Sequence, residues 1–154
     1  LISDAGTIKR IDAQFFQATP AFRAFHSSTQ NVTNNTTTTL SFNSETFDSD
    51  GKYDTSNGRF SPGIAGKYVL FALVRPDDNN SYDYELEIRT SAENAIAKHI
   101  VENVDRTSNF VYTIGDLSAD EYAFVTMYHA QGGTRTLLAG TSTAYFGGFK
   151  LIGA

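Results

Sequence analysis

The chain has no cysteine, no tryptophan, one methionine and three prolines in 154 residues. Without Cys there are no disulfides, thiolate metal sites or cysteine nucleophiles, and redox compartment cannot be read from thiol usage. Charge is scarce as well. Asp, Glu, Lys and Arg make up 19% of the residues, below the roughly 25% of an average soluble domain. The formal net charge is -5, which argues against nucleic acid or an anionic membrane surface as the main partner, since both select clustered Lys and Arg. No apolar run approaches the ~20 residues needed to span a bilayer, so no membrane insertion is expected. A Walker loop, a G-x-G-x-x-G turn and an H-E-x-x-H pair are all missing. The chain begins at Leu1 rather than Met, which predicts that it was cut from something longer.

What is present points one way. Aromatic residues reach 13%, with 12 Phe and 8 Tyr, and there are 18 Thr. Aromatic and β-branched side chains suit a pleated, half-buried surface. The 12 Gly and the Asn-Asp-Ser clusters supply turns for many short strands. The length suits one domain with a core large enough to fold without staples. An all-β domain is the expectation.

Along the chain, Ile8, Ile11 and Phe15 share helix-like spacing, but the stretch is short and residues 1–19 read as a lead-in or stem remnant ahead of a domain at 20–154. From Pro20 onward, short apolar runs alternate with turn signals. Phe22, Ala24 and His26 alternate with Ala21, Arg23 and Phe25 in a first strand, and Thr36 to Phe42 is a second. Residues 47–60 are polar, punctuated by Gly51 and Gly58 and anchored by Tyr53 and Phe60. Lys67 to Val74 is nearly continuous apolar sequence, so both faces of that strand need cover. Tyr82, Tyr84, Leu86 and Ile88 alternate with Asp83, Glu85, Glu87 and Arg89, as in a half-solvated strand. Ile96, His99, Ile100, Asn103 and Val104 fit a helical period that Ser91 could cap. Phe110, Tyr112 and Ile114 alternate, Tyr122 to His129 reads as apolar on both faces, and Thr143 to Ile152 closes the chain. About ten strands account for it, with no helix required.

Candidate chemistry is sparse. Gly140-Thr141-Ser142-Thr143-Ala144 lacks the last glycine of a nucleophile elbow and precedes a strand rather than a helix, so it reads as a loop. His26, His99 and His129 are isolated; three strands, or three copies of one His at a symmetry axis, would be needed to make a metal site of them. Asp48-Ser49-Asp50-Gly51, with Asp54 beyond, resembles the front of a calcium loop but lacks the later bidentate Glu, and Asp77-Asp78-Asn79-Asn80 is an acidic loop. Asn31, Asn34, Asn35 and Asn79 head glycosylation sequons. Tyr53, Tyr82 and Tyr128, with Asp54, are candidates for sugar binding, because a tyrosine ring stacks on a pyranose while carboxylates accept hydroxyl hydrogen bonds.

Four stretches resemble the globular heads of the C1q and tumour-necrosis-factor superfamily. Ala21-Phe22-Arg23-Ala24-Phe25 is similar to the opening AFSA-type strand. Phe42-Asn43, followed by Tyr53 to Phe60, resembles F-(D/N)…YD-x-x-TGxF, with Asn57 inserted before the Gly. Pro62 to Tyr68 resembles the P-x-x-G-x-Y turn, and Tyr145 to Leu151 the closing F-S-G-F-L-L strand. Ala119 before Asp120 departs from the usual L-x-x-GD. Order and spacing agree over residues 21–153, and Tyr128-His129 with Gly132-Gly133 looks more like microbial and phage members than animal ones.

The resemblance implies a ten-stranded jelly-roll sandwich that forms a homotrimer, with one sheet facing two copies of itself around a threefold axis. It also implies that residues 96–104 form a strand, against their local period. Phe22, Tyr68, Leu70, Phe146 and Phe149 are the residues expected at the threefold contact. Animal members often bind Ca2+ near the trimer apex; Glu102, Asn103 and Asp105 occupy the matching region, although the upstream acidic position falls near Ala97 and Lys98. Ca2+ is therefore a candidate cofactor, at Glu102 and Asp105 or at Asp48 and Asp50. The expected function is a non-enzymatic trimeric head of an extracellular or virion fibre, such as a phage tail fibre. It would bind a cell-surface glycan or protein receptor and cap a stem. The alternatives are a purely structural trimerisation or decoration domain, and a glycan-cleaving domain, for which no convergent pair of carboxylates is visible.

Overall fold

The structure is a computed structural model that describes residues 2–4, 7–9, 19–77, 82–92, 94–104 and 107–152. Every regular element among them is a β-strand. A hairpin of β1 (Ile2–Asp4) and β2 (Thr7–Lys9) precedes the sandwich. Ile8 thus lies in a strand, while Ile11 and Phe15 fall outside the described residues. Next come β3 (Ala21–Phe25), β4 (Gln30–Val32), β5 (Thr38–Thr39), β6 (Ser44–Asp48), β7 (Tyr53–Asp54) and β8 (Arg59–Phe60). The second half holds β9 (Gly66–Val74), β10 (Tyr82–Thr90), β11 (Ala95–Val104), β12 (Asn109–Leu117), β13 (Ala123–Tyr128), β14 (Arg135–Leu137) and β15 (Ala144–Lys150).

Two sheets face each other. One has the order β12-β9-β15-β3-β6; the other runs β11-β10-β13-β8-β7, with β5 also paired to β13. Apart from the β10–β11 and β7–β8 hairpins, the neighbours in these two sheets are distant in sequence, as a jelly roll demands. The five-stranded sheet turns Phe22, Leu70, Ala72 and Phe146 inward, and the six-stranded sheet answers with Phe60, Leu86, Ile88, Val125 and Met127. Phe22 is the centre of the aromatic packing: it stacks on Phe60 at 4.3 Å and Tyr53 at 5.0 Å and meets Phe146 edge-on at 4.9 Å. Such pairs add about 0.5–1.5 kcal/mol each beyond burial.

Adjacent glycines let β15 sit between β9 and β3. A Cβ on Gly148 would lie 2.6 Å from Leu70 Cδ2 in the core, and one on Gly147 would lie 2.7 Å from the Phe71 ring on the outside. The sheet needs the missing side chain on both faces at this point.

Two segments differ from their local sequence pattern. Residues 95–104 form a strand, because pairing with β10 through Glu87↔Lys98 and Glu85↔Ile100 outweighs a helical period that no neighbouring surface rewards. Thr36 to Phe42 pairs only at Thr38–Thr39. Gln30 explains the shortening: its side-chain amide donates to Thr39 O (2.8 Å) and accepts from Ser41 N (2.9 Å), replacing strand partners while Leu40 and Phe42 drop into the core.

Candidate functional site

The two sheets share an inward alternation and differ outside. On the outer face of the five-stranded sheet, register aligns Phe110, Leu73, Tyr145 and Phe25 in one row across β12, β9, β15 and β3. The next row holds Tyr112, Phe71, Gly147 and Arg23, and a third holds Ile114, Val69, Phe149 and Ala21. Tyr112 is 69% exposed and Ile114 62%, and Phe47 continues the face onto β6. These rings are ordered against one another: Phe110 stacks on Tyr112 at 6.0 Å, and Phe71 meets Tyr145 edge-on at 6.2 Å.

Charge on this face is tied down or at its margin. The Arg23 guanidinium lies 4.6 Å above the Tyr145 ring and donates to Thr141 O at 2.7 Å. Lys67 and Asp116 pair at 2.8 Å in the end row. An apolar surface this continuous, bordered by an ion pair, has the composition of a protein contact rather than of free solvent surface.

The outer face of the six-stranded sheet is built from charge. Glu87 in β10 is 7% exposed, and both its oxygens are engaged: Lys98 at 2.8 Å on one, Arg89 at 2.7 Å on the other. Lys98 also reaches Glu85 at 2.9 Å. Burial alone would raise the Glu87 carboxyl, but the hydrogen bonds from Lys98 and Arg89 outweigh it and hold the group below the ordinary carboxylate range. The polar side of β10 is therefore an ion-pair network rather than a simply solvated edge. Two adjoining hollows, of about 270 and 330 Å³, open on this face and share Glu85 and Tyr128.

The structure redistributes the residues expected from sequence. Phe22, Tyr68, Leu70 and Phe146 are at most 1% exposed within a single chain. They point into the sandwich and have no surface to offer a second copy, so four of the five expected threefold-contact residues are corrected to core. Phe149, 43% exposed, lies on the outer face. The two runs read as apolar on both faces are also separated: β9 belongs to the five-stranded sheet and β13 to the six-stranded one. On β13 the outward set is Phe124, Thr126 and Tyr128, so one contact cannot cover both runs.

Among the cation candidates, Asp48 is engaged within its own loop, accepting from Tyr53 N at 2.7 Å and Asp50 N at 3.3 Å. Asp54 accepts from the Ser56 and Asn57 side chains at 2.6 Å each, which holds its carboxyl below the ordinary range and closes the turn before β8. Glu102 is exposed beside the smaller hollow; Asp105 and Asp78 to Asn80 lie outside the described residues. Among the described residues no group of three or more His, Asp or Glu is placed to hold a metal ion.

His26, His99 and His129 are not brought together either. His26 is buried against the Phe42 ring at 4.6 Å, and burial lowers it from its ordinary value of 6.5 to about 4. His129 Nε2 lies 3.0 Å from Val32 O. Of the sugar-binding candidates, Tyr53 is core, donating to Phe42 O at 3.1 Å, and the Tyr82 side chain is outside the described residues. Tyr128 remains, half-buried between the two hollows.

The architecture is that of an all-β jelly roll, and solved structures share it. The globular domain of zebrafish complement 1qA protein matches with a TM-score of 0.62 at 16% identity, covering 87% of this chain and 98% of that one. Murine APRIL at pH 5.0 gives 0.66 at 12% identity, covering 87% and 100%. The Eiger TNF from S. frugiperda gives 0.61 at 12%, covering 88% and 94%. Residues 21–151 match the C1q domain family, and the chain belongs to it. No curated protein sequence matches. Domains of this family are typically trimeric, extracellular and non-enzymatic. No helix among the described residues is long and apolar enough to cross a membrane.

Proposed function

We propose that this chain is the non-enzymatic head of an extracellular or virion fibre, in which three copies join through the outer face of the five-stranded sheet. The observation that carries the reading is the set of rows formed by Phe110, Tyr112, Ile114, Val69, Phe71 and Phe149. Threefold closure buries this surface once per subunit, out to β12, one of the two strands that border the sheet. Residues 1–19 precede the family match and lead into the stem that the head caps. The opposite face stays outward and carries the ligand for which the head is built, with three copies raising the effective concentration of each weak site.

Chromatography with light scattering on the wild type and on Ile114→Asp tests the assembly. Three copies for the wild type and one for the variant support it; a wild type that runs as one copy at micromolar concentration overturns it. A trimer that binds neither glycan nor cell surface would be a structural cap.

A further inference from the structure

The outer face of the six-stranded sheet holds a feature that assembly does not use. Glu85 and Tyr128 are direct register partners on β10 and β13, and they stand where the two hollows meet. The smaller hollow adds Asp83 and Glu102, and no Lys or Arg among the described residues lines it. The larger adds Thr37, Glu87, Arg89 and Lys98. From Asp83 to Arg89 the groove follows β10 for seven residues, about 20 Å of strand.

Three observations narrow what fits there. First, the Tyr128 side chain makes no hydrogen bond and no aromatic or cation contact with the described residues, although it is half-buried. A ring face without an aromatic partner and a hydroxyl without a hydrogen-bond partner, both lining a hollow, are complementary to a ligand with an apolar face and hydroxyl groups. Second, the polar groups nearby are held still. Lys98 bridges Glu85 and Glu87, and Glu87 is held again by Arg89. Fixed donors and acceptors of both kinds suit hydroxyls, each of which donates and accepts. Third, the central strands of the groove are paired on both sides: β10 lies between β11 and β13, and β13 pairs with β10, β5 and β8. The unpaired side of β11 faces away from β10, so an extended peptide could not add as a strand between the residues that line the two hollows.

The charge selects further. Asp83, Glu85 and Glu102 around the smaller hollow repel anionic ligands, while the cations of the larger hollow are neutralised by carboxylates. We propose that this groove is a binding site for a neutral oligosaccharide, with one pyranose stacked on Tyr128 and its hydroxyls hydrogen-bonded to Glu85 and to the Glu87–Lys98 pair. The proposal deepens the head-domain reading and rests on it for multivalency alone, because every group in the site comes from one chain.

Saturation-transfer NMR with cellotetraose, maltotetraose, mannotetraose and chitotetraose tests it, with tetragalacturonate and tetralysine as charged comparisons. Amide shifts on the labelled protein then locate the bound oligomer. At least one neutral oligomer is expected to bind and to shift residues 83–89 and 126–128. Tyr128→Ala weakens that binding by about tenfold or more, while Tyr128→Phe, which keeps the ring, stays within about threefold. The proposal is overturned if none of the four neutral oligomers binds, if a charged comparison binds more tightly, or if the shifts map elsewhere. Light scattering on the same samples separates the two claims: binding by a single-copy species keeps the groove and removes the trimer, and a trimer that ignores the neutral panel does the reverse.

Discussion

The two outward faces of the sandwich are built on the same pleat and carry opposite chemistry. Across β12, β9 and β15, alternate residues present rings and aliphatic side chains to the outside; across β11, β10 and β13 they present Lys98, Glu87, Thr126 and their neighbours. Inward, both sheets are equally apolar. The fold therefore specifies one face of each sheet and leaves the other to function. An apolar outer face costs solubility unless another surface covers it, whereas a fixed polar face costs desolvation unless a ligand or solvent satisfies it.

The sharpest way to break this contrast is to place one charge on each face. Tyr112→Asp and Ile114→Asp substitute residues that a lone chain leaves exposed, so the fold survives. In an assembly the same change buries an unpaired carboxylate in every subunit, at about 3–5 kcal/mol each. The expected result is loss of the trimer by light scattering with an unchanged far-UV spectrum. Thr39→Asp, on the exposed edge of the charged face, leaves the mass unaltered.

Acid should act on the core beneath the apolar face next. His26 has a folded value of about 4 against 6.5 when unfolded. The unfolded chain binds the proton first, so its neutral burial contributes stability that is complete above 6.5 and lost as pH falls through about 4. Across that window the unfolding free energy should drop by up to ~3 kcal/mol. His26→Phe, measured by denaturant unfolding over the same pH range, flattens this slope.

Gly147→Ala sharpens the comparison within one strand. The added methyl meets Phe71 at 2.7 Å on the outer face and Phe22 O at 3.0 Å, which predicts a loss of about 1–3 kcal/mol by thermal unfolding and weaker assembly. Lys98→Met, on the charged face, has the smallest effect. It removes the bonds that lower Glu87, so the Glu87 carboxyl titrates at higher pH by carbon-detected NMR. Stability changes by less than about 1 kcal/mol, because Lys98 is 41% exposed, and the mass stays constant.

How far each face could be read from sequence follows from the range of the signals. The all-β class and strands such as β10 and β12 were legible from local alternation, and the apolar outer side of Lys67–Val74 from a nearly continuous apolar run. Which side faces outward was legible too, through Lys67 and Arg23. A charged residue cannot enter the core, so by a period of two Lys67 turns Val69, Phe71 and Leu73 outward and Tyr68 and Leu70 inward, and Arg23 does the same to Phe22. Choosing the bulkiest residues instead of the parity puts Phe22, Tyr68, Leu70 and Phe146 on the wrong face. The charged groove was not legible, because Glu87, Lys98 and Thr126 meet only through the register of β10 with β11 and β13. For residues 95–104 the local period favours a helix, and only pairing with β10 makes them a strand.

In the proposed assembly the apolar face is covered by two further copies of the chain. Sedimentation equilibrium of the wild type at micromolar concentration measures this without a variant or a ligand. The prediction is a single species of three times the 16.9 kDa chain mass. A single species of one chain mass, with Phe110, Tyr112 and Ile114 left in water, would contradict it.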